Sequence, residues 1–263
     1  MDVGAYLKRI DHHAPAPPTL ATLRALQRAQ LLTVPFENLD IHLGRQIRLD
    51  QASLFDKIVT RRRGGFCFEL NGLFAELLRE LGFRVTLLNS RIPETHNGWQ
   101  GRFDHPILLV ELAEPWIVDI GFGDAYRTPL RLDQAGDQQG LHSLYRLEPD
   151  GRGSWRFLEF EKGAWEFYYE FSLEPANLTD FREACVHYES SPNSSFTQKT
   201  LCTRATGDGH ITLSQDRLTI FRGEEKEEKR LSDQTEIASA LRQHFNITLD
   251  GELRMPPGAA PWQ

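Results

Sequence analysis

Paired cysteines are missing from this chain. Cys67, Cys185 and Cys202 are its only three, odd in number and far apart. That excludes a disulfide framework and a CxxC-type zinc site, and points to free thiols in a reducing cytoplasm. A basic excess is missing too: 30 Lys and Arg face 37 Asp and Glu, for a formal charge of -7. A phosphate-binding surface usually shows the opposite balance, so nucleic acid is not expected as the main partner. No apolar run approaches the ~20 residues of a membrane span, and the segment from Met1 to Ile10 lacks the apolar core of a signal peptide. The expectation is a soluble, unexported protein that needs no membrane. The chain has no GxxxxGK phosphate loop and no internal repeat. Its nine histidines, the pair His12-His13 included, show no metal-ligand spacing, so no metal is expected.

What is present is an ordinary globular composition: 263 residues, 40% hydrophobic and 25% charged, enough to bury a core without staples. The pattern divides into three. Residues 1–83 are helical, with Leu20, Leu23, Leu26 and Leu31 at helix spacing and N-cap candidates at Asp50 to Ser53. Leu70, Leu73, Phe74, Leu77, Leu78 and Leu81 then form an apolar stripe that ends at Gly82. Residues 84–189 break into short strands bounded by Gly, Pro, Asn or Asp, which read as an antiparallel sheet or small barrel. Residues 190–263 hold a hairpin at Ile211 to Phe221 and a charged run, Gly223 to Arg230, that reads as a solvated turn. An amphipathic helix from Asp233 to Phe245 and a loose Pro-rich tail from Met255 complete this part.

Cys67 carries the chemical argument. It follows Gly64 and Gly65 and opens the stripe that starts at Leu70, so the thiol is expected at a helix N-terminus. There the unpaired N–H groups and the helix dipole favour thiolate, lowering a pKa ordinarily near ~8.5. Such a nucleophile needs a base, and the base an orienting partner. His105 starts the run Ile107-Leu108-Leu109-Val110, and Asp119 interrupts Trp116-Ile117-Val118-Asp119-Ile120. A carboxylate in that strand is expensive to bury unpaired. A hairpin turning at Glu114-Pro115 would set His105 and Asp119 opposite each other. Asp104 is the rival orienting group, but strand alternation predicts that it faces away from its neighbour.

Taken together, certain blocks resemble the arylamine N-acetyltransferase family. They are Val34-Pro35-Phe36-Glu37-Asn38-Leu39-Asp40, Arg63-Gly64-Gly65-Phe66-Cys67-Phe68-Glu69-Leu70-Asn71-Gly72, His105, Val118-Asp119-Ile120-Gly121-Phe122-Gly123, and Ser191-Pro192-Asn193-Ser194-Ser195-Phe196. They occur in the family's order across nearly the whole chain. The resemblance implies an α+β, cysteine-proteinase-like fold in three parts: a helical bundle with the nucleophile, a central antiparallel β-barrel with His and Asp, and a C-terminal α/β lid. It implies the triad Cys67, His105 and Asp119, with acetyl-coenzyme A as co-substrate. The acetyl group would pass through acetyl-cysteine to an arylamine, arylhydrazine or N-hydroxyarylamine in a ping-pong cycle.

By the same resemblance Phe36 and Phe122 line the acceptor pocket, and Gly101, Arg102, Phe103 and Gly123 contact coenzyme A. Gly121 and Gly123 would let the bound thioester approach backbone closely. The N–H groups of Cys67 and Phe103 are the candidate oxyanion hole. Glu37 and Arg63 would pair near the triad, and an exposed pair would contribute little. Cys185 and Cys202 read as small buried residues. Three other readings share these residues: an amide synthase using another acyl donor or a biosynthetic amine, a cysteine hydrolase or transglutaminase-like enzyme, and a non-catalytic coenzyme A or ligand-binding protein.

Overall fold

The fold, seen in a computed structural model, is described for residues 1–93, 99, 101–123, 126–141 and 143–254. Helices come first. Asp2 accepts from the Ala5 N–H at 2.9 Å to cap α1 (Val3–Arg9), and Thr19 accepts from Thr22 at 3.3 Å to cap α2 (Leu20–Thr33). These oxygens satisfy N–H groups that a first helical turn leaves unpaired. A two-residue strand, β1 (Phe36–Glu37), a single turn, α3 (Leu39–His42), and α4 (Gln51–Phe55), capped by Asp50, follow. The next helix, α5 (Cys67–Glu80), is more enclosed than a surface stripe predicts. Every residue from Cys67 to Ala75 is buried, so its first half packs on all sides. Gly82, at φ +87°, ends it where Phe83 donates to the Leu78 carbonyl at 3.0 Å, the bonding pattern of a glycine-terminated helix.

The strands that follow build an eight-stranded antiparallel sheet. They are β2 (Arg84–Arg91), β3 (His105–Glu111), β4 (Pro115–Val118), β5 (Leu130–Arg131), β6 (Gln138–Gln139), β7 (Leu144–Pro149), β8 (Ser154–Glu161) and β9 (Ala164–Ala176). Their order is β5-β4-β3-β2-β9-β8-β7-β6. The two edges nearly meet. The Gln138 side chain accepts from the Arg131 N–H at 2.7 Å and donates to the Arg131 carbonyl at 2.8 Å. One amide side chain thus stands in for a missing backbone rung between β6 and β5. Inside, Leu88, Ile107, Ile117, Phe157, Tyr169 and Phe171 fill the barrel.

Two helices, α6 (Arg182–Ser190) and α7 (Ser195–Gln198), lead into the third part. There β10 (Leu201–Ala205), β11 (His210–Ser214), β12 (Arg217–Arg222) and β13 (Glu225–Arg230) form a second sheet. The helix α8 (Gln234–Phe245) packs Ile237, Leu241 and Phe245 against Ile211, Leu213 and Leu218. The sheet's first strand is borrowed from the helical part: β1 pairs with β10, Phe36 opposite Thr203. The charged run corrects the expectation of a solvated turn. Gly223 turns at φ +56°, but Glu225 to Arg230 is an edge strand with every residue exposed. Charges face across it, Arg217 to Glu228 at 3.1 Å and Arg222 to Glu227 at 3.2 Å. Charge on an outermost strand deters further pairing, and it also erases the apolar alternation by which strands are recognised. The tail, residues 255–263, lies outside the described residues.

Candidate active site

Cys67 is the first residue of α5, as its place after two glycines predicts. What holds that helix end is a buried ion cluster. Arg63 contacts Glu37 Oε1 at 2.7 Å and Asp40 Oδ1 at 3.1 Å, and Lys57 reaches Asp40 Oδ2 and Glu69 Oε1, both at 2.8 Å. Glu69 Oε2 accepts from the Phe66 N–H at 3.1 Å, directly before the cysteine. The Glu37–Arg63 pair is therefore not exposed: Glu37 is 0% and Arg63 3% accessible. Removing one partner of such a pair leaves an uncompensated buried charge. Burial pushes the Glu69 carboxyl up to about 7, against the pull of Lys57. Lys57 and Glu69 interrupt apolar runs just as Asp119 does, and that was their signal.

The strand region brings His105 and Asp119 together. The His105 Nε2–H donates to Asp119 Oδ2 at 2.7 Å, with both residues 1% exposed. They are not directly opposite, as a symmetric hairpin predicts. The ladder pairs Leu108 with Val118, and continued one step it sets Asp119 across from Ile107, so His105 lies on the diagonal. Period-two alternation keeps the two side chains on one face. Asn71, four residues beyond Cys67 on α5, completes the arrangement. Its Nδ2 donates to Asp119 Oδ1 at 2.8 Å and to the Pro106 carbonyl at 2.7 Å, while its Oδ1 accepts from the Ile120 N–H at 3.0 Å. Asn71 belongs to the cysteine motif, yet nothing in the sequence alone assigns it a role.

The thiol's environment works against the expectation of an intrinsically acidic cysteine. Burial pushes the Cys67 pKa up, Asp104 and Asp119 push the same way, and the Phe68 N–H opposes them. That desolvation competes with the helix terminus. A thiolate here needs a proton acceptor beside it. With His105 Nε2 committed to Asp119, Nδ1 is the ring nitrogen left for that task.

Cys67 and His105 line one cavity of about 330 Å³, at the small end of ligand sites. Its walls are aromatic: Phe36, Phe122, Tyr168, Tyr188 and Phe196. Phe122 stands edge-on to His105, with ring centroids 5.3 Å apart. Of the four residues expected to contact coenzyme A, Gly123 lines this cavity. Gly101 sits against the Trp99 ring, Arg102 is exposed and 3.4 Å from Glu174, and Phe103 packs on Phe181 at 5.3 Å. Gly121 lines the cavity too, and its lack of a side chain has a second use. A Cβ there would lie 2.7 Å from Cys67 Cα and 2.6 Å from Asn71 Nδ2, so glycine lets the strand end close onto the nucleophile. Asp104 is not turned away from the site. It precedes the first residue of β3, where strand alternation no longer binds it, and it lines the cavity. Cys185 and Cys202 are buried free thiols. Among the described residues no cluster of His, Cys, Asp or Glu could hold a metal ion.

This arrangement can be set beside known proteins. A sequence profile described as N-acetyltransferase matches residues 19–254. An arylamine N-acetyltransferase / N-hydroxyarylamine O-acetyltransferase of Salmonella typhimurium is 36% identical, over 92% of this chain and 88% of its own length. The pineal gland isozyme of arylamine N-acetyltransferase from Gallus gallus is 34% identical over 95% of each chain. Among solved structures, the Salmonella typhimurium arylamine N-acetyltransferase superposes with a TM-score of 0.89 at 34% identity, covering 95% of this chain and 92% of that one. The Mycobacterium marinum arylamine N-acetyltransferase in complex with CoA gives 0.84 at 32% identity, covering 94% and 93%.

Proposed function

The chain belongs to the arylamine N-acetyltransferase family, and from that premise we propose that Cys67, His105 and Asp119 carry its acetyl-coenzyme A dependent N-acetylation of arylamines. The observation that carries this reading is the 2.7 Å His105–Asp119 bond in a cavity shared with Cys67. Cys67 gives its proton to His105 Nδ1, and Asp119 stabilises the resulting imidazolium. The thiolate attacks the acetyl carbonyl, the thioester C–S bond breaks, and His105 returns the proton to the departing thiolate of coenzyme A. Exchange of one thioester for another costs little. In the second half, an acceptor nitrogen attacks acetyl-Cys67, its N–C bond forms as the Sγ–C bond breaks, and the released proton restores the cysteine thiol. Phe36 and Phe122 offer flat faces to the acceptor ring, and the Gly123 backbone offers close approach to the thioester arm.

The three buried free thiols favour a reducing cytoplasm. Among the described residues no helix is long and apolar enough to cross a membrane, and the acidic balance favours small-molecule partners. The working units are residues 1–83, 84–189 and 190–263.

Intact-mass spectrometry after mixing with acetyl-coenzyme A should show one acetyl group per chain, absent from Cys67→Ala and discharged by an arylamine or arylhydrazine. Acetylation that persists in Cys67→Ala, or acetyl loss to water that outpaces transfer to any acceptor, would overturn the assignment.

A further inference from the structure

The cavity beside Cys67 contains a carboxylate that the triad does not use. Asp104 is 1% exposed and lines the cavity with Cys67, Phe36 and Phe122. The Tyr188 hydroxyl donates to its Oδ1, and the Ile92 N–H donates to its Oδ2 at 2.8 Å. Both donors belong to residues that line the same cavity. Tyr188 comes from α6 and stacks on Phe68 of α5, ring centroids 5.9 Å apart. The carboxylate is thus gripped by groups from two separate parts of the chain, and its own N–H donates to Asn89 Oδ1 at 2.9 Å. Most of the surrounding wall is ring and alkyl surface. A carboxylate in such a place is costly unless it is hydrogen-bonded, and here it is. It shares that cavity with the nucleophile.

From this geometry we infer that Asp104, held by Tyr188, selects the acceptor. It accepts a hydrogen bond from the N–H of the amine approaching acetyl-Cys67, or from the adjacent nitrogen of a hydrazide, and it repels acceptors that carry an anion beside the amine. Asp104 takes no proton in this step, which passes through His105 and Cys67 as above. The inference rests on the reading of Cys67 as the acetyl carrier. Like charges about 7 Å apart at an effective dielectric of about 20 repel strongly enough to change occupancy at least tenfold.

The test loads the enzyme with acetyl from acetyl-coenzyme A, removes the excess, and follows acetyl loss by intact mass. Aminobenzamide and aminobenzoate, nearly isosteric but neutral and anionic, are compared as ortho, meta and para isomers. Each rate is normalised to that amine's reaction with a free acetyl thioester. In the natural protein the amide should outpace the acid by about tenfold or more in the ortho pair, less so in the para pair. Asp104→Asn keeps the shape and removes the charge, and should bring the ortho ratio close to one. A structural role for Asp104 would slow both acceptors and leave their ratio alone. A ratio near one in the natural protein, or the same ratio in Asp104→Asn, overturns the inference. The natural-protein ratio decides even if the variant does not fold. Absence of any acetyl on Cys67 would instead overturn the triad assignment.

Discussion

Asn71 Nδ2 lies 2.8 Å from Asp119 Oδ1, so the helix that presents the nucleophile also holds the carboxylate that orients its base. Asp119 has its two oxygens divided, Oδ1 accepting from Asn71 and from the Gly121 N–H and Oδ2 facing His105. Asn71→Ala should therefore act at two levels. Three buried hydrogen bonds are lost, for a stability decrease of roughly 2–4 kcal/mol, measurable by denaturant unfolding. In the fraction still folded, the acetylation rate of Cys67 should fall at least about tenfold, because Asp119 Oδ1 keeps only the Gly121 N–H and is no longer tied to the nucleophile helix.

The two glycines around Phe122 should respond differently to the same substitution. Gly121→Ala drives a methyl group to within 2.7 Å of Cys67 Cα, an overpacking that costs about 1–3 kcal/mol and displaces the nucleophile. Gly123 has φ +68°, yet a Cβ there would meet only Thr203 Cγ2, at 4.0 Å. Gly123→Ala should cost about 1 kcal/mol of backbone strain and leave the placement of Cys67, read by its alkylation with iodoacetamide, unchanged. Equal losses of alkylation in the two variants would contradict the packing described.

Alkylation separates the thiol's own acidity from the effect of its partner. Burial raises the Cys67 pKa, so a thiolate at neutral pH must come from proton transfer to His105. Iodoacetamide should modify Cys67 near pH 7 in the natural protein. In His105→Gln the rate at that pH should drop by about tenfold or more and recover only in alkaline solution, where the thiol ionises unaided. Unchanged alkylation in the variant would mean that the helix terminus alone suffices.

Stability against pH should carry the mark of Glu69. Its folded pKa is raised to about 7 from an ordinary 4.5, so between those values the folded state holds a proton that the unfolded state has lost. Its contribution to stability therefore declines as pH rises from about 4.5 to about 7. Glu69→Gln still offers an oxygen to the Phe66 N–H but cannot titrate. The stability of the natural protein relative to this variant should fall across that window, by a few kcal/mol at most. Chemical denaturation of both proteins at several pH values would reveal it, and a constant difference would refute it.

Much of the site could be read from residue type and neighbourhood. Cys67 stood out because glycines precede it and an apolar helix follows, and Asp119 because a carboxylate rarely interrupts a run of Trp, Ile and Val. What the sequence does not reveal depends on contacts between distant segments. Lys57 and Glu69 are 12 residues apart and meet only because α5 folds back on the helical turn, Asp56–Thr60, that continues α4. Asn71 looks like any polar residue on a helix until Asp119 arrives from another element. The diagonal offset of His105 and Asp119 follows from where the β3–β4 ladder begins, which the turn residues alone do not set. In β13, side chains chosen for solubility concealed a backbone committed to a ladder. In the sequence Asp104 is only a rival to Asp119, and strand alternation is no guide to a residue that stands before the strand.

The two-residue strand β1 ties synthesis of the chain to completion of its chemistry. Phe36 bridges to Gly65 in the nucleophile loop and pairs with Thr203 in the C-terminal sheet, a separation of well over a hundred residues in sequence. Contacts of that reach form late and slow folding. A nascent chain can emerge with α1 and α5 already packed, yet the loop before Cys67 lacks its outer support until the segment around Thr203 has been translated. The thiol thus gains its finished surroundings only near the end of synthesis.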